Sequence, residues 1–155
     1  MKAQPCAWHA AGFTVLETLV VLAVLATLVG LAGPALSGMI VTQQLKNASF
    51  DLASSLTLAR SEALTRNVSV TIDPVAGEWA RGWTVTAAGG TVLRRQAEYA
   101  RIALSGPVRV VYNGDGRPDS VATAFAVTSS DTAVDHYRCV TLRVNGRFNV
   151  ARGAC

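Results

Sequence analysis

The first third of the chain turns from mixed polar and apolar residues to an uninterrupted apolar run. No charged residue occurs between Thr18 and Leu45, and residues 18–40 are almost entirely apolar. About 20 such residues suffice for a helix to cross the roughly 30 Å hydrocarbon layer of a membrane. In lipid, where no water is available, a single segment forms all of its backbone hydrogen bonds internally only as a helix. The pattern therefore predicts a membrane-embedded helix, with Pro34 as a point of weakness.

After residue 40 the apolar positions become periodic, at spacings of seven, four, three and four that are typical of one face of an α-helix. They are Leu45, Leu52, Leu56, Ala59 and Ala63. The opposite face is polar, so we expect this part of the helix to lie outside the membrane and to pack its apolar stripe on a sheet. One long helix is predicted over residues 13–65.

From residue 68 onward, short strand-like segments alternate with turn residues. The predicted strands are residues 68–72, 79–86, 91–94, 102–104, 108–112, 125–128, 138–144 and 147–151. Asp73-Pro74 is expected to form a turn and Asn145-Gly146 a hairpin turn, while Trp79 and Trp83 are expected in the core of the sheet. The predicted class is α+β, with one long N-terminal helix, its first half membrane-embedded, packed on an antiparallel C-terminal β-sheet.

The composition and the motifs of the chain exclude several kinds of functional site. The chain has 14 Lys and Arg against 10 Asp and Glu, a formal net charge of +4, and half of its residues are hydrophobic. Two histidines and three cysteines cannot form a multi-histidine metal site or a zinc cluster. Residues 113–119 loosely resemble a calcium loop but lack the glutamate of an EF-hand, so a hairpin turn is predicted. With no phosphate loop, catalytic carboxylate pair or nucleophile elbow, we predict a protein that is not an enzyme, without cofactor or metal.

The apolar run has two interpretations. A secretory signal peptide has a shorter apolar core and a basic start, whereas here the run is long and Lys2 is far from it. The segment Gly12-Phe13-Thr14-Val15-Leu16-Glu17 before the run resembles the type IV prepilin signature. The resemblance implies cleavage by prepilin peptidase between Gly12 and Phe13 and N-methylation of Phe13. It divides the chain into a leader (1–12), a transmembrane helix segment (13–40) and a periplasmic pilin-like α+β domain (41–155).

Glu17 is an ionisable residue at the edge of the apolar run, where a charge is expensive. By the same resemblance it occupies the glutamate position of the family and takes part in subunit assembly. Its expected partner is the N-terminal amine of a neighbouring subunit, since two charges that are too costly to bury alone can be buried as a pair.

The resemblance also gives the cysteines a role. Cys6 would leave with the leader, and Cys139 and Cys155 would remain in a domain that faces the periplasm, where disulfides persist. We expect them to form a disulfide that pins the last strand. Two free thiols are the alternative.

The part after the apolar run is similar to one branch of the family, the minor pseudopilin H of type II secretion and the minor type IV pilins of the fimbrial T and U kind. The matching residues are Leu58-Ala59-Arg60-Ser61-Glu62-Ala63, Arg66-Asn67, Gly82-Trp83 and Gly146-Arg147. The resemblance implies a single-pass inner-membrane protein that joins the tip or priming complex of a secretion pseudopilus or a type IV pilus. Its expected partners are other pseudopilins or minor pilins, prepilin peptidase and the inner-membrane assembly platform.

The C-terminal end is rich in arginine and supports an alternative function. In part of the family a Gly-Arg-x-Arg motif in this hairpin binds DNA during natural transformation. Here Gly146 and Arg147 match, but Asn149 occupies the position of the second arginine. Arg143 and Arg152 can replace it if they share a face with Arg147, because arginines bind phosphates bidentately.

Overall fold

The computed structural model describes residues 14–119, 123–130 and 137–155, and for residues 31–37 it describes the helical backbone alone. The chain divides into two compact units, Met1–Ser37 and Gly38–Cys155. Helix α1 spans Val15–Arg66 and agrees with the predicted helix to within two residues at either end.

In the first unit, α1 exposes its apolar side chains between Val15 and Val29. In the described part of the chain, no helix combines the length and the apolar character that a membrane crossing requires. A transmembrane segment over residues 13–40 remains a prediction from the sequence.

The strands of the second unit form two antiparallel sheets of four strands each, where the sequence predicted one antiparallel sheet. The first sheet has the order β3-β2-β1-β5 and the second the order β4-β6-β7-β8. Their bounds are β1 Val70–Val75, β2 Glu78–Ala87, β3 Thr91–Gln96, β4 Ile102–Ser105, β5 Val110–Tyr112, β6 Thr123–Ser129, β7 Tyr137–Leu142 and β8 Phe148–Arg152. The predicted α+β class is confirmed.

The turn predicted at Asp73-Pro74 is wrong, because β1 runs through both residues. The chain reverses instead at Ala76 and Gly77, whose φ angles are 51° and 80°. A proline lacks the N–H that an interior strand must donate. Here β5 pairs only with residues 70–72 of β1, and the register shifts just after Pro74, so this side of the strand is open where the proline lies.

The core of the second unit lies between one face of α1 and the inner faces of the sheets. The predicted stripe is buried, and Val41 and Ala48 extend it. Trp83, fully buried, donates its indole N–H to Ser55 Oγ of α1 at 2.9 Å. Trp79 packs edge-on against Phe125 of the second sheet, with ring centroids 4.9 Å apart. Both tryptophans are therefore core residues, as predicted, and together they join the helix to both sheets.

A polar cluster fastens the edge of the first sheet to α1. The Tyr99 hydroxyl donates to Asp51 Oδ2 at 2.8 Å, and Arg94 on β3 donates to Ser54 Oγ at 2.8 Å and lies 3.5 Å from Asp51 Oδ1. Burial, and then the bond to Asp51, raise the pKa of Tyr99 above its ordinary value. The tyrosine ring also stacks on Trp83, so the cluster closes the core at this edge.

The second sheet ends in a covalently closed hairpin. Cys139 on β7 and Cys155 are joined by a disulfide across 16 residues of sequence. Strand β8 has no neighbour on its outer edge among the described strands. The bond therefore ties down the segment that follows an edge strand, which is held on one side only.

We predict that replacing both Cys139 and Cys155 by alanine lowers the free energy of unfolding of the second unit by about 3 kcal/mol, because a cross-link of this span restricts the unfolded chain. Urea unfolding of the full chain, followed by tryptophan fluorescence, measures the change. Reductant should lower the stability of the unchanged protein by a similar amount and leave the double variant unaffected. Equal stability of all samples would contradict the prediction.

Candidate functional site

The start of α1 has the geometry of a helix cap. Thr14 precedes the first helical residue, and its hydroxyl accepts a hydrogen bond from the backbone N–H of Glu17 at 3.2 Å. A threonine followed three residues later by a glutamate is the capping-box pattern. The negative charge of an acid in the first turn also interacts favourably with the helix dipole. The hydrogen bond is made by the backbone of Glu17, so its carboxylate contributes to the start of the helix through its charge, besides the predicted assembly role. The predicted processing residues Gly12 and Phe13 lie outside the described residues.

At the other end of the chain, a five-residue turn joins β7 to β8. The N–H of Arg143 donates to the carbonyl of Arg147 at 2.8 Å, and the N–H of Gly146 donates to the carbonyl of Arg143 at 2.9 Å. Asn145 Oδ1 accepts from the N–H of Arg147 at 3.0 Å. With φ at 75°, Gly146 takes the left-handed conformation that closes such turns.

The turn separates the predicted arginines into two pairs. Arg143 and Arg147 close the turn opposite each other, whereas Arg152 lies opposite Arg138 at the far end of the hairpin. Five residues of extended strand separate Arg147 from Arg152 by roughly 17 Å. Strand alternation puts Arg152 on the face opposite to Arg147. The structure therefore does not gather Arg143, Arg147 and Arg152 on one face.

Gly146 also packs against two distant segments. A Cβ at this position would collide with the carbonyl oxygen of Gly116 and would lie 3.1 Å from Nε of Arg60. The glycine of the Gly-Arg pair is thus required by both backbone conformation and contact. This contact packs the hairpin turn against the last turns of α1, where Arg60 lies.

An open cleft of about 350 Å³ lies between the end of α1 and this turn, and we call it the α1–hairpin cleft. Its lining residues are Thr57, Arg60, Ser61, Leu64, Gly146, Arg147 and Phe148. Arg60 is half-buried, and its Nε is buried without a hydrogen-bond partner. The cleft therefore combines two guanidinium groups, two hydroxyl-bearing residues and two apolar side chains.

Two residues at these sites, Thr14 at the helix cap and Arg60 in the cleft, were not predicted as functional candidates from the sequence. Thr14 could have been found, since the spacing to Glu17 is a capping signal. Arg60 was named in the sequence only within a segment that matches the family, but it lies one turn after Leu56 and one turn before Ala63, at the edge of the buried stripe. A charged residue at the edge of the apolar stripe was the signal in the sequence that could have identified Arg60 as a candidate.

The loop expected as a hairpin turn at residues 113–119 is one. Asn113 Oδ1 accepts the N–H of Arg117, and the N–H of Gly116 donates to the carbonyl of Asn113 at 2.8 Å. The side-chain oxygen of Asn113 therefore already accepts a hydrogen bond from within the loop. Among the described residues, no group of three or more His, Cys, Asp or Glu side chains is arranged to hold a metal ion.

These features agree with one protein family. Residues 48–146 match the family model of the type II transport protein GspH. The chain belongs to the GspH family. No curated protein matches the chain.

Two crystal structures of the type IV minor pilin FimU of Pseudomonas aeruginosa strain PAO1 share the fold. The form in space group P21 has a TM-score of 0.61 at 20% identity and covers 71% of this chain and 90% of FimU. The form in space group P65 has a TM-score of 0.59 at 19% identity and covers 68% and 91%. The pilin-like fold predicted for this GspH-family chain is confirmed.

Next to the cleft, a second buried polar atom lacks a partner. The hydroxyl of Tyr112 on β5 is buried without a hydrogen bond. Burial raises the pKa of Tyr112 to about 12, and the positive charge of Arg60 opposes this rise. The folded state therefore keeps this proton at a pH where the unfolded chain, with a pKa near 10, has released it.

We predict that Tyr112→Phe changes the stability by less than about 1 kcal/mol at pH 7, because the lost hydroxyl makes no hydrogen bond. Between pH 10 and 12 the unchanged protein should lose about 1.4 kcal/mol per pH unit through this group, since the unfolded state binds fewer protons. The variant should escape that loss. Urea unfolding at pH 7 and pH 11 tests both parts, and an equal alkaline loss in the two proteins would contradict the prediction.

Proposed function

We propose that this GspH-family chain is a minor pseudopilin or minor pilin that joins the tip or priming complex of a type II secretion pseudopilus or a type IV pilus. The GspH family and the pilin-like fold support a role in assembly and not in catalysis. Other pseudopilins or minor pilins are its partners in the filament.

The observation that carries this proposal is the exposed apolar surface of the first unit. Ten large apolar side chains of α1 are between 49% and 78% exposed; they are Val15, Leu16, Leu19, Val20, Val21, Leu22, Val24, Leu25, Leu28 and Val29. A surface of this kind marks a membrane or protein interaction site. In our proposal, inner-membrane lipid covers it before assembly and the helices of neighbouring subunits cover it afterwards.

The remaining steps follow from the prepilin-like start. Prepilin peptidase removes residues 1–12, and the new N-terminal Phe13 is methylated. The second unit, with its disulfide, stays in the periplasm, which is a compartment where such bonds persist. Glu17 then pairs with the N-terminal amine of a neighbour when the inner-membrane assembly platform adds the subunit to the filament.

The capping geometry allows a sharp test of Glu17. Glu17→Gln retains a capping-box side chain but removes the charge, whereas Thr14→Ser retains the cap and the charge. We expect the first variant to lose incorporation into sheared pilus or pseudopilus fractions at least tenfold, with the second unaffected. Immunoblots of those fractions give the result, and mass spectrometry for methylated Phe13 shows that each variant is processed. Normal incorporation of Glu17→Gln would contradict a role of the Glu17 charge in assembly.

DNA binding is a second candidate function, and it is supported by Arg143 and Arg147, which close the β7–β8 turn opposite each other. Arg152 lies at the far end of the hairpin, opposite Arg138, and does not share their face. Arg143, Arg147 and Arg152 are exposed, and none of them forms an ion pair among the described residues. With a net charge of +4, the chain can attract a phosphate backbone at low salt.

A titration of the full chain in detergent against duplex DNA at several salt concentrations tests this candidate. We expect binding to weaken steeply with salt, and Arg147→Ala to reduce the slope of log affinity against log salt by about 1. Arg95→Ala, an exposed arginine on β3, is the matched control. If no binding occurs at low salt, the arginines do not serve DNA uptake.

A further inference from the structure

The α1–hairpin cleft carries positive charge that the protein itself does not neutralise. The ion pairs among the described residues use Arg66, Arg81, Arg94 and Arg109. No described carboxylate lies within 4.0 Å of Arg60 or Arg147, and the nearby Glu62 is bonded to Arg66 at 2.6 Å. The two guanidinium groups that line the cleft are therefore available to an external anion.

Arg60 is held in a way that costs stability. Its Nε is buried against Gly146 with no hydrogen-bond partner. A buried donor that has lost its water without gaining a replacement lowers the stability of the fold. An apolar residue at this edge of the stripe would avoid that cost, so the arginine is best explained by a use for its charge. Because the turn already fixes its stem, little side-chain entropy remains to be lost on binding.

The walls of the cleft indicate which anion fits. Leu64, 49% exposed, and Phe148 provide apolar contact. Ser61 is exposed and can donate its hydroxyl, whereas the Thr57 hydroxyl already donates to a backbone carbonyl. A short methylene stem that ends in a carboxylate would satisfy both the apolar walls and the guanidinium groups, which bind carboxylates bidentately. A DNA duplex presents its phosphates on a convex surface, so it can contact the exposed Arg147 but not the half-buried Arg60 together with the apolar walls of the cleft.

We propose that the α1–hairpin cleft binds the side-chain carboxylate of an aspartate or glutamate from a neighbouring subunit, with Arg60 and Arg147 as its two cationic contacts. This inference rests on the proposed assembly function, which supplies the neighbour. It gives the second unit an electrostatic contact that is separate from the one at Glu17.

The experiment measures peptide binding to the purified full chain in detergent by the NMR shifts of the backbone amides of Ser61, Gly146 and Arg147. The probe is a capped pentapeptide with a central glutamate between two leucines, and the same peptide with a central glutamine is its control. Inorganic phosphate and a short DNA duplex are measured in parallel. Because no filament is needed, failure of assembly and failure of this cleft can be told apart.

We expect the glutamate peptide to bind at least tenfold more tightly than the glutamine peptide. Arg60→Gln and Arg147→Gln should each weaken it at least tenfold, whereas Arg152→Gln, the same change at the far end of β8, should leave it within twofold. If Arg60→Gln does not fold, the exposed Arg147 still decides the result.

Four results would overturn the proposal. They are no binding of the glutamate peptide, equal binding of the two peptides, an equal loss with Arg152→Gln, and displacement of the peptide from the cleft by phosphate or the DNA duplex at equal concentration. The second would indicate an apolar groove, the third a diffuse electrostatic effect, and the fourth a phosphate site.

Discussion

Trp83 donates its indole N–H to Ser55 of α1, and Trp79 on the same strand meets Phe125 of the second sheet edge-on. Strand β2 is thus the element through which the helix and both sheets share one core. Indole groups bury a large apolar area and still require a partner for their N–H. That double requirement fixes where α1 lies on the sheets, and the position of α1 in turn determines which of its residues reach the β7–β8 turn.

The sequence was most informative where a single spacing of apolar residues extended over a whole secondary-structure element. The spacing from Leu45 to Ala63 correctly predicted the buried face of α1, and turn residues placed most strands. The predicted turn at Pro74 was wrong. A proline interrupts a strand only where its missing N–H would have to bond to a neighbouring strand, and here β5 stops pairing with β1 at Ile72. The division into two sheets was also not predictable, since it depends on which strands pair and not on where they are.

The candidate site shows the same limit more clearly. Arg147 was singled out from a short local pattern, but its neighbour Arg60 lies 87 positions earlier in the chain, and Gly116 lies between them in sequence. Their meeting depends on two turns and a helix end packing together. A local pattern contains the residue types, whereas the register across the hairpin determines that Arg143 faces Arg147 and that Arg152 faces Arg138.

The pairing of Arg138 with Arg152 has a mechanical consequence for the end of the second sheet. Like charges directly opposite each other on antiparallel strands destabilise the pair, and here they lie beside the disulfide between Cys139 and Cys155. The covalent bond thus keeps together two strands that their own charges push apart. Once the bond is reduced, fraying should begin at this end of the hairpin, and dissolved salt, by screening the repulsion, should slow it.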